Sequence, residues 1–180
     1  MRADARRNRD RILTAAAAAV AEQGAEASLE DIARKAGVGS ATLHRHFPSR
    51  RELLEAVFTD RVDALCAHAA GTPAEAEPSA ALADWLLAVG AHAAANRGLG
   101  AALAHGADPS FGATCHARIL DAATPLFARA TAAGAIRPGV SVTDVLTVVA
   151  AVSTATEHHP DGPGEARRLL ALTLDGVRPR

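Results

Sequence analysis

Polar and basic side chains are concentrated between positions 37 and 50, where the sequence reads GVGSATLHRHFPSR. If this segment forms a helix, Leu43 and Phe47 lie one turn apart and face a core. Ala41 and Arg45 then lie on the opposite side, which is small, polar and cationic. Such a surface suits contact with DNA, because arginine binds guanine edges bidentately and small residues allow a close approach to the bases.

Each exposed position of this segment suggests a particular contact. Arg45 is expected to pair with a guanine edge. Ser40, Thr42 and His44 are expected to form hydrogen bonds with phosphates, and the methyl groups of Ala41 and Thr42 can touch thymine. A solvated polar face on an ordinary three-helix bundle remains the alternative interpretation, because helix–turn–helix patterns produce false matches.

Basic residues outside the segment extend the expected contact. Arg50 lies near the start of the next predicted helix, where a guanidinium and a helix N-terminus can together hold a phosphate. The first eleven residues, MRADARRNRDR, are rich in arginine. Arg6 and Arg7 are therefore expected to reach a minor groove or the DNA backbone, although such a run alone is more often a solvated tail.

Short capped helices must position these side chains. Gly37 supplies the positive φ that a tight turn requires, and Ser40 is expected to cap the helix that ends near Phe47. Capping-box patterns, in which a serine precedes an acidic residue by three positions, are expected to begin three other helices; these pairs are Ser28–Asp31, Ser49–Glu52 and Ser141–Asp144.

Composition predicts an all-α protein. The chain has 180 residues, 49% hydrophobic and 22% charged, with a formal net charge of −1. Abundant alanine and clustered Pro and Gly favour helices joined by short loops. We expect about nine helices, over residues 5–23, 28–36, 40–47, 49–70, 79–96, 99–105, 110–133, 141–156 and 165–174. With neither a signal-peptide core nor an apolar run of transmembrane length, a cytoplasmic location without membrane contact is expected.

The predicted organisation is a DNA-binding domain over residues 1–48, a connecting helix over 49–70 and a C-terminal domain over 71–180. The segment GTPAEAEP at 71–78 is the clearest linker. In the C-terminal domain, apolar and histidine side chains are candidates for an effector pocket, although an ordinary core is the preferred interpretation for each one. These candidates are Leu82, Trp85, Val89, His92, Leu103, Phe111, Cys115 and Phe127.

The C-terminal domain contains candidate residues for two further functions. Broad apolar stripes near the C-terminus are candidates for a dimer interface, through Val145, Val149, Val152, Leu169 and Leu172. Cys115, His116, His105 and Asp108 lie close in sequence, but they lack an established ligand spacing, so no metal site or cofactor is expected. Enzyme signatures such as a phosphate loop or a nucleophile elbow are also absent.

The segment ILTAAAAAVAEQGAEASLEDIARKAGVGSATLHRHFPSRRELLEAVF resembles the N-terminal domain of the TetR family of transcriptional regulators. That resemblance implies an all-helical homodimer with a C-terminal ligand-binding and dimerisation domain. It implies a repressor that binds a palindromic operator and responds to an unknown small apolar or amphipathic molecule. It places DNA contacts at Ser40, Ala41, Thr42, His44, His46 and Arg50. A helical metal-sensing regulator or a helical interaction module without enzymatic activity remain as alternatives.

One residue departs from the family pattern. The family usually has a tyrosine at the position of His44, and this chain contains no tyrosine. Histidine can also donate a hydrogen bond to a phosphate, and histidine gains charge within the physiological pH range. We therefore expect operator binding to strengthen modestly as the pH falls from 8 to 6.

Overall fold

A computed structural model of the chain describes residues 2–95, 109–156 and 159–177, with side chains left undescribed at 2, 95 and 109–112. The predicted all-α class is confirmed, because these residues form helices and no strand. The helices are α1 (Arg2–Gln23), α2 (Leu29–Ala36), α3 (Ser40–His46), α4 (Arg50–Ala70), α5 (Pro78–Ala95), α6 (Pro109–Ala132), α7 (Val142–Ala155) and α8 (Gly162–Gly176), with a 3₁₀ turn at Gly24–Glu26. The helix predicted at 99–105 lies outside the described residues.

Several helices begin at other residues than the sequence suggested, and α1 begins three residues earlier than expected. Gly39 is the N-cap of α3 and forms no side-chain cap, so Ser40 is the first helical residue rather than the cap. The last helix begins at Gly162, earlier than expected, because the Asp161 carboxylate accepts a hydrogen bond from the Gly164 N–H at 3.1 Å. A side-chain cap of this kind satisfies an N–H group that would otherwise lack a partner in the first turn.

Contacts divide the chain into two compact units, and the division falls inside α4. Residues up to Arg61 belong to the first unit, whereas Val62–Ala95 and the residues from Ala113 onward belong to the second. The helix α4 therefore contributes its first half to one unit and its second half to the other. None of the described helices is long and apolar enough to cross a lipid bilayer.

The first unit has a continuous apolar core. Side chains of α1, α2, α3 and the start of α4 meet there, including Ile12, Val20, Ile32, Leu43, Phe47, Leu53 and Val57. Burial of aliphatic and aromatic side chains of this size stabilises a fold by about 1.5–3 kcal/mol each. Leu43 and Phe47, which their one-turn spacing assigned to a core, are among the residues that hold these helices together.

The second unit has a core of its own, formed by the second half of α4 and by α5, α6, α7 and α8. Trp85 is fully buried, and its Nε1–H donates a hydrogen bond to the Leu65 carbonyl at 2.9 Å. Gly90 permits close packing of α5 and α8, because a Cβ there would lie 2.7 Å from Leu170 Cδ1. The predicted capping box of Ser141 and Asp144 is present at the start of α7.

Candidate nucleic-acid interface

The helix–turn–helix of the first unit consists of α2, a tight turn and α3. Ser28 Oγ accepts a hydrogen bond from the Asp31 N–H at 3.3 Å and so caps α2. Gly37 ends α2 with φ +64° and ψ 37°, a left-handed conformation that glycine adopts without strain. A side chain at Gly37 would also collide with the Arg11 guanidinium. The turn geometry is therefore specified by backbone conformation, because the Arg11 guanidinium is the end of a flexible side chain and can move aside.

The buried side of α3 fixes the orientation of its exposed side. Leu43 and Phe47 are only 1% and 3% exposed and pack in the core of the first unit. Because these two residues anchor α3 on α1 and α2, the opposite face of the seven-residue helix is held toward solvent. A rigid helix that presents a polar face is what major-groove recognition requires.

The residues predicted to contact DNA from α3 lie on that face. Ser40, Ala41, His44 and Arg45 are exposed, and Thr42 is half-buried. Arg45 Nη2 donates a hydrogen bond to Thr42 Oγ1 at 2.9 Å, which orients the guanidinium along the helix surface. The structure therefore brings together a cationic fork, two hydroxyl groups, an imidazole and a methyl group over about one and a half turns.

Two other residues predicted to contact DNA are partly covered by the protein itself. His46 is half-buried, and its ring centroid lies 6.5 Å from that of Phe47. Arg50 is also half-buried, and its Nη1 donates hydrogen bonds to the carbonyls of Ala25 at 3.0 Å and Ala27 at 2.6 Å. Arg50 thus ties the start of α4 to the connection between α1 and α2. Its guanidinium is engaged with the protein's own backbone.

The N-terminal arginines divide into two groups. Arg6 and Arg7 are exposed, as a DNA-contacting role requires, and Arg7 forms an ion pair with Asp4. Sequence reasoning missed Arg9, whose guanidinium carbon lies 5.3 Å from the ring centroid of Phe47, and Arg11, whose Nη2 donates to the Gly37 carbonyl at 3.5 Å. These two residues join α1 to the helix–turn–helix rather than extend from it.

A sequence signal for Arg9 existed. Position 9 precedes the buried residues Ile12 and Leu13 by three and four positions, so the core-facing side of α1 continues toward it. An arginine at the edge of such a face can cover an aromatic ring with its guanidinium and keep its charge in water. The arginine run at residues 2–11 is therefore not one uniform cationic tail.

The second unit places the predicted pocket residues in different environments. Leu82, Trp85, Val89 and Cys115 are buried, and the first three belong to the core of that unit. Burial raises the pKa of the Cys115 thiol, which keeps the thiol protonated at neutral pH. His92 and Phe127 are half-buried. Leu103 and the side chain of Phe111 lie outside the described residues.

The residues predicted for a dimer interface also differ in exposure. Val145 and Val149 are buried within the second unit, and Val152 and Leu169 are half-buried. Leu172 is 58% exposed. Val148, a second large apolar residue of this unit, is 36% exposed. Large exposed apolar side chains of this kind are the ones available to a partner.

Among the described residues, no group of three His, Cys, Asp or Glu side chains could hold a metal ion.

Comparison with known proteins assigns both parts of the chain. Residues 12–57 match the model for bacterial regulatory proteins of the tetR family. Residues 77–179 match the model for the C-terminal domain of SbtR-like transcriptional regulators. No curated protein sequence matches the chain. The helix–turn–helix and both family models define a DNA-binding transcriptional regulator.

Solved structures agree with this class. A TetR transcriptional regulator from Streptomyces coelicolor is 40% identical, with a TM-score of 0.80 over 95% of this chain and 98% of that one. A TetR regulatory protein from Mycobacterium vanbaalenii is 33% identical, with a TM-score of 0.75 over 99% of both chains. The chain belongs to the TetR family, whose members are DNA-binding transcription factors and not enzymes.

A more distant structure shares only the fold. The ketosteroid transcriptional regulator KstR2 of Mycobacterium tuberculosis is 23% identical, with a TM-score of 0.62 over 96% of this chain and 95% of that one. At this level of identity the likeness extends to the arrangement of helices and not to the ligand.

Proposed function

We propose that the protein is a ligand-responsive repressor that binds a palindromic operator as a homodimer. The observation that carries the DNA-binding part is the contrast between the two sides of α3. Leu43 and Phe47 are buried on one side, and Ala41, His44 and Arg45 are exposed on the other. In this proposal Arg45 reads a guanine, while Ser40, Thr42 and His44 contact phosphates.

Dimerisation is supported by the exposed apolar side chains of the second unit. Leu172 on α8 and Val148 on α7 are the large hydrophobic residues that remain exposed among the described side chains. Covering them in a two-fold interface would remove apolar surface from water, and two-fold symmetry matches a palindromic operator. The two recognition helices would then enter successive major grooves about 34–36 Å apart.

Ligand response is proposed to act through α4. Its first half belongs to the DNA-binding unit and its second half to the C-terminal unit, so a ligand bound in the second unit can alter the helix that both share. The ligand must bind the DNA-incompetent form more tightly, because equal affinity for both forms shifts nothing. Repression is proposed as the sign of regulation, since that is what the family resemblance implies.

Selection of operators from random double-stranded DNA tests the DNA-binding part. We expect enrichment of a palindrome whose half-sites are about one helical turn apart. Binding should weaken steeply with salt, because each neutralised phosphate contributes a slope of about −0.9 in log K against log salt. Failure to enrich any site of two-fold symmetry would contradict the proposal.

A charge in the proposed interface tests dimerisation separately. We expect Leu172→Asp to yield monomers that keep their helical circular dichroism and lose operator affinity. Size-exclusion chromatography with light scattering gives the mass of the species in solution. A variant that remained dimeric and bound the operator as tightly as the parent would exclude Leu172 from the interface.

A further inference from the structure

A groove of about 390 Å³ lies in the second unit between the last turn of α4, one side of α5 and the first half of α8. This side of α5 differs from the side that carries Trp85, which is filled by core packing. The volume falls within the range of about 300–1,000 Å³ that is typical of small-molecule sites. The lining side chains that matter below are His68, Asp84, Leu87, Ala91, Arg167 and Leu170.

Arg167 provides an available cation at this groove. It is exposed and forms no hydrogen bond or ion pair among the described residues. Its neighbour Arg168 is held by Glu165, with Nε donating to Oε2 at 2.9 Å. A guanidinium without a partner beside an apolar surface is suited to a carboxylate, which it can bind through two parallel hydrogen bonds.

The acidic residue that borders the groove is already engaged. His68 Nε2 lies 3.0 Å from Asp84 Oδ2, and the two side chains are 42% and 72% exposed. The imidazole N–H therefore satisfies one oxygen of this carboxylate, and water can reach the other. This hydrogen bond engages Asp84 without cancelling its charge, whereas Arg167 has no partner among the described residues. Arg167 is therefore the charged side chain of the groove that is open to an acidic ligand group.

The groove floor is apolar and open. Leu87, Ala88, Ala91 and Leu170 present hydrocarbon, and the alanines leave space above the helix backbone. Burying an alkyl chain on such a surface is favourable, because it removes apolar area from water. A ligand that combines a hydrocarbon body with one acidic group thus matches both parts of the groove.

We propose that this groove binds a small amphipathic carboxylate and serves as the effector site of the proposed function. The carboxylate lies on Arg167, and the hydrocarbon body lies along α5 and against Leu170. His68 belongs to α4, which also carries Leu53 and Val57 into the core of the DNA-binding unit. Occupancy of the groove therefore acts on the helix that continues into that unit.

The groove and the proposed dimer interface use different sides of α8. Leu172 lies two residues beyond Leu170, which is about 200° around a helix with 3.6 residues per turn. A ligand in the groove and a partner subunit on Leu172 can therefore be bound together. The position of the site is compatible with an effector that acts on a dimer.

Calorimetric titration of the full chain with decanoate tests the site. Decanol and acetate are the matched probes, since the first lacks the charge and the second lacks the chain. We expect decanoate to bind at least tenfold more tightly than either. Arg167→Gln should weaken decanoate binding at least tenfold, and Ala91→Phe should block the groove without affecting the core. Arg168→Gln, whose arginine is paired with Glu165 and does not line the groove, should bind as the parent does.

Equal affinity of the parent and Arg167→Gln for decanoate would overturn the proposal, as would equal binding of decanol and decanoate. Release of a selected operator by decanoate is measured separately. If decanoate binds through Arg167 without releasing the operator, the groove is a carboxylate site, but its assignment as the effector site is wrong. If no operator can be selected, the proposed repressor function fails, whatever the titration shows.

Discussion

The two units of this chain relate packing to function in different ways. In the DNA-binding unit, the packed residues and the proposed contact residues alternate along one short helix, so that burying Leu43 and Phe47 also exposes Arg45. In the C-terminal unit, Trp85 fills one side of α5, and the groove lies along another side of the same helix. A contact surface needs side chains at fixed positions, whereas a ligand site needs space that side chains leave empty.

The largest expected effect concerns the filled side of α5. We expect Trp85→Ala to lower the free energy of unfolding by about 3–5 kcal/mol, because it opens a cavity in the core and removes the indole N–H that donates to the Leu65 carbonyl. Trp85→Phe should lower the free energy of unfolding by less, since phenylalanine keeps most of the ring volume. Urea denaturation measures both. A loss below about 1 kcal/mol for the alanine variant would mean that this side of α5 is not a tightly filled core.

Arg50 tests how strictly contact and packing are separated in the first unit. Because its guanidinium bonds to the carbonyls of Ala25 and Ala27, Arg50→Ala should lower the free energy of unfolding by about 1–3 kcal/mol. Operator affinity should fall without a change in its salt dependence, since no phosphate contact is lost. A salt slope lower by about one per subunit would instead show that Arg50 binds a phosphate in the complex.

Arg6 and Arg7 offer a matched pair of exposed arginines. Arg7 is paired with Asp4, whereas Arg6 forms no ion pair among the described residues. We expect Arg6→Ala to reduce the salt slope of operator binding by about one per subunit, and Arg7→Ala to reduce it less. Filter binding over a range of salt concentrations measures the slopes. Identical slopes for the parent and both variants would leave the first turns of α1 out of the interface.

The smallest expected effect concerns His44. It is exposed on α3, and a histidine gains positive charge as the pH falls from 8 to 6. Operator affinity should therefore rise by a small factor over this range, and His44→Tyr should show a weaker rise. Parallel titrations of both proteins at constant ionic strength provide the comparison. If the two proteins respond equally to pH, His44 does not contact a phosphate.

Much of the first unit was predictable because its signals are local. The cap at Ser28, the positive φ of Gly37 and the one-turn spacing of Leu43 and Phe47 each constrain a few neighbouring residues, and the structure has all three. The environment of Arg50 was not predictable. It depends on two carbonyl groups more than twenty residues earlier in the chain, and no local pattern encodes such a contact.

The second unit was less predictable for a related reason. Helical periodicity placed Leu82, Trp85 and Val89 on one apolar face, but periodicity does not distinguish a filled core from the lining of a cavity. That distinction depends on the volumes of side chains from several helices, such as Leu170 of α8 opposite Gly90 of α5. The groove beside Arg167 is lined by residues of α4, α5 and α8, which are far apart in the sequence and share no local pattern.

In the proposed function, the exposed face of α3 reads the operator. Affinities of the parent and of Arg45→Ala for a selected operator, and for the same operator with its contacted guanine replaced, test this most directly. We expect Arg45→Ala to weaken the binding free energy for the selected operator by about 1–3 kcal/mol per half-site and to abolish the preference for guanine. Arg34→Ala, which removes an exposed arginine of α2 paired with Asp31, is the control. Equal preference for guanine in the parent and in Arg45→Ala would contradict the claim.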